Sequence, residues 1–342
     1  MVRFQENVSL APYSTLGINA WARFFVQAQT DDKIRATCAY AREHKIPLAV
    51  LGSGSNVLVP DGEFPGIVLH VATTGMEIVP KGEKVLLIVS AGELWDAVVR
   101  RAGEEGLWGI ENLAGIPGTV GAAPVQNIGA YGAQLADVFA WAEVLNCARG
   151  GEERITPARA QFGYRTSLFK KERQYIITRV ALSLARAPMP RLSYKDLTPF
   201  AESMKKSSLT PSAIAKEVRR IRASKFPNKA GEGTAGSFFK NPIVTPDAYH
   251  ALKERFPGLP GFPSEESVKI PLAWILDRVL GLAGFSRGAV RLYEKQPLIL
   301  VASAGARAKD VDSFAREIEE RVHQATGISI EREVQNFSSL SL

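Results

Sequence analysis

Ser237 lies in "TAGSFFKNP" (234–242), a hydroxyl inside an apolar segment, with Lys240 and Asn241 just beyond two phenylalanines. A serine is a poor acid, so protonating a carbon would require a cationic or well hydrogen-bonded setting. The plainer alternative is a serine bonded to its own backbone in a turn. Arg165, beside Tyr164 in "FGYRTSLFK" (162–170), carries a planar fork that matches a carboxylate or phosphate. A surface arginine stacked on tyrosine would look the same. Glu331 and Glu333 stand two apart in "SIEREV", and in a strand they would share a face. Glu333 could polarise a substrate or relay a proton; the competing reading is a solvated strand face.

Two glycine-rich segments offer a different chemistry. In "GSGSN" (52–56) the glycines let backbone N–H groups approach and cradle a phosphate. The dinucleotide fingerprint needs a third glycine and a following helix, whereas Val57 opens what reads as another strand. That leaves a phosphate loop of another kind, or a plain hairpin turn. "GIPGTVGAAPVQNIGAYG" (115–132) is neither helix nor strand in pattern. Gly115, Gly118 and Gly121 would let the chain hug a flat or anionic ligand, and Gln126 and Asn127 supply amides. Its apolar side chains favour packing on something over a mobile surface loop.

The elements that must position these residues follow from periodicity. A helix is expected over 31–45, capped by Asp31, with Ile34, Cys38 and Ala41 on one face. Others are expected over 93–106 and over 210–224, the latter with Thr210 as cap, Pro211 in its first turn and Ile214, Val218 and Ile221 buried. Two more are expected over 267–284 and 309–327, with Val311, Phe314, Ile318 and Val322 facing inward in the last. Strands are expected on both sides of the 52–56 loop, over 66–73, 84–92, 139–147, 175–184 and 296–305, and over 328–337. "KFPNKAGEG" reads as a domain boundary. Helices and strands interleave without a regular βαβ array, which makes the class α+β.

With 342 residues, 46% of them hydrophobic, the chain can bury two or three cores. No apolar run is long enough to span a membrane, and the N-terminus lacks a secretory apolar stretch, so a cytoplasmic location is expected. Two cysteines outside any CxxC, and four scattered histidines, point to structural thiols and to no metal site. A net charge of +7 favours anionic partners. A polyanion-binding protein would show a long basic tract, and only short pairs such as Arg219–Arg220 occur.

In order along the chain, "APYSTLGI", "LGSGSNVLV", the 115–132 loop, "FGYRTSLFK", "LSYKDL", "GSFFKNP" and "EREV" resemble the UDP-N-acetylenolpyruvoylglucosamine reductase family, in its form with a tyrosine loop. The resemblance runs from residue 11 to 334. It implies a vanillyl-alcohol-oxidase-type FAD-binding fold of two α+β subdomains, 1–70 (joined by the terminal strand 328–342) and 71–224. A smaller α+β substrate-binding domain, 225–327, is implied to complete it. FAD would be held non-covalently, there being no histidine in 45–60 or 115–132. The implied cofactor positions are Gly52, Ser53, Gly54, Ser55, Asn56 and Val57 in the first loop. In the second they are Gly115, Ile116, Pro117, Gly118, Gly121, Ala122, Gln126, Asn127, Gly129, Ala130 and Tyr131.

The implied reaction is NADPH-dependent reduction of UDP-N-acetylglucosamine enolpyruvate to UDP-N-acetylmuramate, with a hydride passing from flavin N5 to the outer vinyl carbon. Arg165 and Glu333 match the positions that stabilise the developing negative charge, and Ser237 matches the donor of the proton to the inner carbon. Tyr164, Tyr194, Lys225, Asn241 and Gln296 match substrate-binding positions. No nucleic acid or membrane partner is implied, and a monomer is expected. This sequence departs from the family pattern at Asn228, Thr234 and the "GAAP" of the second loop. A flavin oxidase on the same fold is the competing enzyme reading, but it has no use for a proton donor to a vinyl carbon.

Overall fold

The computed structural model describes residues 2–205, 208–227 and 229–340, so Asn228 lies outside the described residues. Three sheets organise the chain. The first contains β1 (Gln5–Ser9), β2 (Ala20–Ala28), β3 (Leu48–Leu51) and β5 (Gly62–Val71), in the order β1-β2-β5-β3; the two-residue β4 (Val57–Leu58) lies outside it. β2, β5 and β3 run parallel. Parallel strands need a crossover, and α1 (Asp31–His44) supplies it between β2 and β3. The cap of α1 is Thr30, whose hydroxyl accepts from the Lys33 N–H at 3.3 Å. Asp31, expected as the cap, is instead the first helical residue, where its charge favours the positive end of the helix dipole.

The second sheet is antiparallel. It contains β6 (Met76–Lys81), β7 (Lys84–Ser90), β8 (Phe139–Asn146), β9 (Glu152–Ile155) and β10 (Tyr175–Ala185), in the order β9-β8-β10-β7-β6. α2 (Trp95–Glu104) and α3 (Pro211–Lys225) share its core, which also contains Ile34, Cys38 and Ala41 of α1. The α3 cap is Thr210, accepting from the Ala213 N–H, as expected. Cys38 and Cys147 are both free and buried in this core.

The third sheet contains β11 (Glu232–Ser237), then β15 (Ser286–Arg287), β16 (Val290–Tyr293) and β17 (Gln296–Ser303), in the order β11-β17-β16-β15. Beside it lie α4 (Pro246–Arg255) and a small sheet of β12 (Ile243–Val244), β13 (Phe262–Pro263) and β14 (Val268–Lys269). α5 (Ala308–Thr326) buries Val311, Phe314, Ile318 and Val322, the expected face. Its core also takes in Leu16, Ile18 and Leu58 from the first part of the chain. The chain then returns, and β18 (Gln335–Asn336) pairs in parallel with β4 while Phe337 packs edge-on against Phe64. Among the described residues no helix is long and apolar enough to cross a membrane.

Two expected elements are shorter than their apolar patterns. The helix expected over 267–284 is limited to Leu272–Trp274 and a wider turn, Ile275–Val279. Pro271 cannot donate within a helix and clashes with the turn before it, so Val268 and Lys269 pair as a strand instead. The strand expected over 328–337 is reduced to β18. Ahead of it, Arg332 bridges Phe239, and the N–H groups of Glu333 and Val334 both donate to the Phe238 carbonyl. Two residues opposite one form a bulge, which breaks the alternation. Glu331 and Glu333 therefore do not share a face: Glu331 is exposed and Glu333 is buried.

Candidate active site

A cavity of about 340 Å³ opens where the two glycine segments, the 163–166 turn, β11 and the returning terminus converge. This is within the size range of small-molecule sites. Residues 52–57 line it, as do Ile116, Pro117, Gly118, Gly121, Ala122, Gln126 and Gly129. Among the described residues, the backbone N–H groups of 52–56 donate to no acceptor in the protein. The Ser53 hydroxyl is buried and likewise unpartnered. Buried polar groups are nearly always paired, so the lone Ser53 hydroxyl beside a run of half-buried free N–H donors is suited to cradle an anion. The other wall is apolar, with Trp95, Ala91, Val71 and Ile177. A group with a diphosphate and a flat ring system fits both halves.

Asn56 ties this cradle to the rest of the site. Its Nδ2 donates to Gln126 Oε1 at 2.7 Å and to the Glu333 carbonyl at 3.2 Å, and its own carbonyl accepts from the Gln335 N–H at 3.1 Å. Ser55 Oγ donates to the Pro117 carbonyl at 3.2 Å, joining the two glycine segments.

Arg165 and Tyr164 form the centre of a two-residue turn closed by Gly163 and Thr166. Arg165 has φ of 54°, a left-handed conformation that costs about 1 kcal/mol or more for a residue with a Cβ. The surroundings hold it there. Arg165 Nη2 donates to the Gly129 carbonyl at 3.1 Å, Lys170 Nζ to the Arg165 carbonyl at 3.1 Å, and Asn127 Nδ2 to the Gly163 carbonyl at 3.2 Å. The result is an ion pair, Arg165 Nε to Glu333 Oε1 at 2.9 Å, on the cavity wall. Burial pushes the Glu333 carboxyl above the ordinary range, with Arg165, Lys170 and Lys240 pulling against it.

Ser237 lines the same cavity at the end of β11. Phe238 and Phe239 behind it are fully buried in edge-on contact, so the rings fix the strand and leave the hydroxyl at the cavity. Lys240 turns to Glu331, with Nζ to Oε2 at 2.6 Å, and so serves Ser237 less directly than its sequence position suggests.

The remaining sequence-predicted residues do not line the cavity. Gly115 and Asn127 hold the second loop from behind. The Gly115 N–H donates to Asp96 Oδ1 at 2.7 Å, and the Ala136 N–H donates to Asn127 Oδ1 at 2.9 Å. Ala130 sits in a small hairpin, and the Tyr131 ring meets Tyr194 edge-on. Burial raises the Tyr131 phenol to about 12. Lys225 Nζ pairs with Asp196 at 2.6 Å. Asn241 donates its N–H to Tyr164 Oη at 3.3 Å and accepts from the Leu272 N–H at 2.9 Å. Gln296 opens β17 opposite Tyr293.

Sequence reasoning missed Arg222 and Phe226, which line the cavity from α3 and the residue after it. The Arg222 guanidinium donates to the Gly115 carbonyl at 3.0 Å and lies over the Phe226 ring. Its spacing of four from Val218 was the available signal, because it continues the apolar stripe with a cation.

Fold and cradle are those of an FAD-binding α+β flavoprotein with an added C-terminal domain. A family model described as an FAD binding domain matches residues 22–156. A second, described as the C-terminal domain of UDP-N-acetylenolpyruvoylglucosamine reductase, matches residues 227–337. Proteins of that name from Pseudomonas aeruginosa and Pseudomonas putida are 39% and 36% identical, each over 97% of this chain and 98% of its own length. The crystal structure of UDP-N-acetylenolpyruvylglucosamine reductase (MurB) from Thermus caldophilus superposes with a TM-score of 0.69 at 26% identity, covering 98% of this chain and all of that one. The chain belongs to the UDP-N-acetylenolpyruvoylglucosamine reductase family and is an oxidoreductase.

Proposed function

We propose that the protein reduces UDP-N-acetylglucosamine enolpyruvate to UDP-N-acetylmuramate at the expense of NADPH, in peptidoglycan precursor synthesis. The names of its relatives support the substrate. The observation that carries the reading is an ion pair between half-buried Arg165 and buried Glu333 and a serine hydroxyl on the walls of one cavity that also has an anion cradle. FAD, when bound, supplies the two-electron relay by which a hydride from NADPH reaches the outer vinyl carbon.

The residues of this chain do the rest. Residues 52–56 and the loop 115–131 hold the cofactor, with Arg222 and Phe226 on the same wall. Arg165 faces the substrate carboxylate, where negative charge grows as the outer carbon is reduced. A preformed cation in a water-poor cleft stabilises such charge without reorganising. Glu333 keeps the guanidinium in register through the 2.9 Å pair. Ser237 gives its proton to the inner carbon and regains one from solvent. Tyr164, Tyr194, Lys225, Asn241 and Gln296 bind the nucleotide sugar; Lys225 would exchange Asp196 for the diphosphate. The proposed division of the chain is 1–70 with 328–342, 71–224 and 225–327.

The test is Ser237→Ala in rapid mixing. Bleaching of the flavin by NADPH should stay near the parent rate, while its return on adding substrate slows by about 10²–10⁴-fold, the range of a positioned general acid. Equal slowing of both steps would make Ser237 a structural residue and remove the assignment.

A further inference from the structure

The segment from Leu10 to Ile18 belongs to two cores at once. Leu10 and Tyr13 pack with Phe25 and Phe337 against the first sheet, whereas Leu16 and Ile18 are buried with Phe238 and Phe239 in the third. Its backbone is clamped on both sides. Toward the cofactor cradle, the Thr15 N–H donates to the Gly54 carbonyl at 3.2 Å. Gly54 has φ of 60°, and a Cβ there would overlap the Tyr13 carbonyl oxygen and lie 2.8 Å from Ser14 Cα. Toward β11, the Thr234 N–H donates to the Thr15 carbonyl at 2.9 Å. A Cβ on Gly233 would overlap the Leu16 carbonyl oxygen and lie 2.8 Å from that of Thr15.

β11 itself is irregular at the point that matters. Its register against β17 shifts between Thr234 and Ser237. Inside that shift, Thr234 Oγ1 accepts from the Gly236 N–H at 3.2 Å. Thr234 therefore faces both ways, with its N–H on Thr15 and its hydroxyl fixing the irregular turn that delivers Ser237. Thr15 sits on Gly54 one residue earlier in the same chain of contacts. None of Thr15, Leu16, Gly233 or Thr234 lines the cavity.

We propose that the Tyr13–Gly17 segment is a strap coupling the cofactor cradle to the proton donor, with Thr15, Gly233 and Thr234 as positioning residues. This rests on the role assigned to Ser237 above. A coupling of this kind is reciprocal, and it requires a demonstrated effect on both sites rather than mere adjacency. Perturbing the β11 side must weaken cofactor binding, although it touches nothing in the cradle.

The experiment measures FAD dissociation from the holoenzyme by flavin fluorescence for Gly233→Ala and for a control, Gly261→Ala. The control places a Cβ 2.6 Å from the Tyr249 ring, in the same domain but away from the strap. Gly233→Ala should raise the FAD dissociation constant about 10-fold, within the range of intramolecular coupling, and Gly261→Ala should leave it within twofold. A dissociation constant for Gly233→Ala within twofold of the parent, or an equal rise in both variants, overturns the proposal. This readout needs no substrate, so it stands apart from any failure of the reaction assigned above. Should Gly233→Ala not fold, Thr234→Val keeps the donor to Thr15 and removes only the acceptor for Gly236. It should slow the substrate step about 10-fold with the NADPH step unchanged, and Thr234→Ser should restore it. An unchanged substrate step in Thr234→Val, or no rescue by serine, overturns the positioning role.

Discussion

Replacing Asn56 by alanine removes the side chain on which the cradle, the second glycine loop and the terminus converge. Two donations are lost, to Gln126 Oε1 and to the Glu333 carbonyl, while the Asn56 carbonyl still receives the Gln335 N–H. At about 0.5–1.5 kcal/mol per bond, the loss is about 1–3 kcal/mol. For 342 residues, an unfolding entropy of about 2.1 cal/mol/K per residue gives roughly 0.7 kcal/mol/K, so Tm should fall by only about 1.5–4 °C. The local effect should be larger. If the terminus opens by sub-global unfolding, the same free energy speeds amide exchange in the peptide spanning 333–336 by about 5–150-fold. Hydrogen-exchange mass spectrometry reads this directly, with β17 as internal control. Asn56→Asp should do worse than alanine, because it aims a carboxylate at two acceptors. Unchanged exchange at 333–336 in Asn56→Ala, or equal acceleration across β17, would refute the view that Asn56 is the tie.

Arg165→Ala should cut substrate turnover by orders of magnitude while FAD retention, read by fluorescence, stays within a few-fold; loss of FAD instead would move Arg165 to the cofactor. Asp96→Asn should lower Tm at neutral pH, because Asp96 holds both the Gly115 N–H and Arg219. Burial pushes the Asp96 carboxyl up, and those partners more than offset it, leaving it below the usual range. A depressed folded value means the stabilisation is present above the unfolded pKa of ~3.9 and is lost as pH falls below it. The Tm gap between parent and variant should therefore close in that acidic window, and a gap independent of pH would contradict the assignment. Cys38 and Cys147, both buried in the core of the first two sheets, should resist a thiol reagent in the native protein and both react in denaturant. Rapid native labelling would show that this core opens easily.

Much of this was legible in the sequence because it is set locally. Glycines at 52, 54, 115 and 118 mark loops, and the stripes Ile214–Val218–Ile221 and Val311–Phe314–Ile318–Val322 mark helices that exist where expected. Apart from the helix broken at Pro271 and the cap that is Thr30, what failed depends on partners distant in sequence. The bulge that turns Glu333 inward exists only because Phe238 offers one carbonyl to two N–H groups, nearly a hundred residues away. The left-handed φ of Arg165 needs Gly129, Lys170 and the Glu333 pair to hold it. Arg222 escaped notice because a cation beside an apolar stripe reads as a solvated flank, whereas Gly115 gives it a half-buried backbone acceptor. Leu16 and Ile18 gave no hint that they belong to a core formed more than two hundred residues later.

Electrons from NADPH should end on the enolpyruvyl sugar, and an anaerobic titration decides whether they do. The bound flavin is reduced with one equivalent of NADPH, UDP-N-acetylglucosamine enolpyruvate is added, and flavin absorbance is followed. Rapid return of the oxidised spectrum is expected, with stoichiometric formation of UDP-N-acetylmuramate. A flavin that stays reduced until air is admitted would contradict it and favour an oxidase.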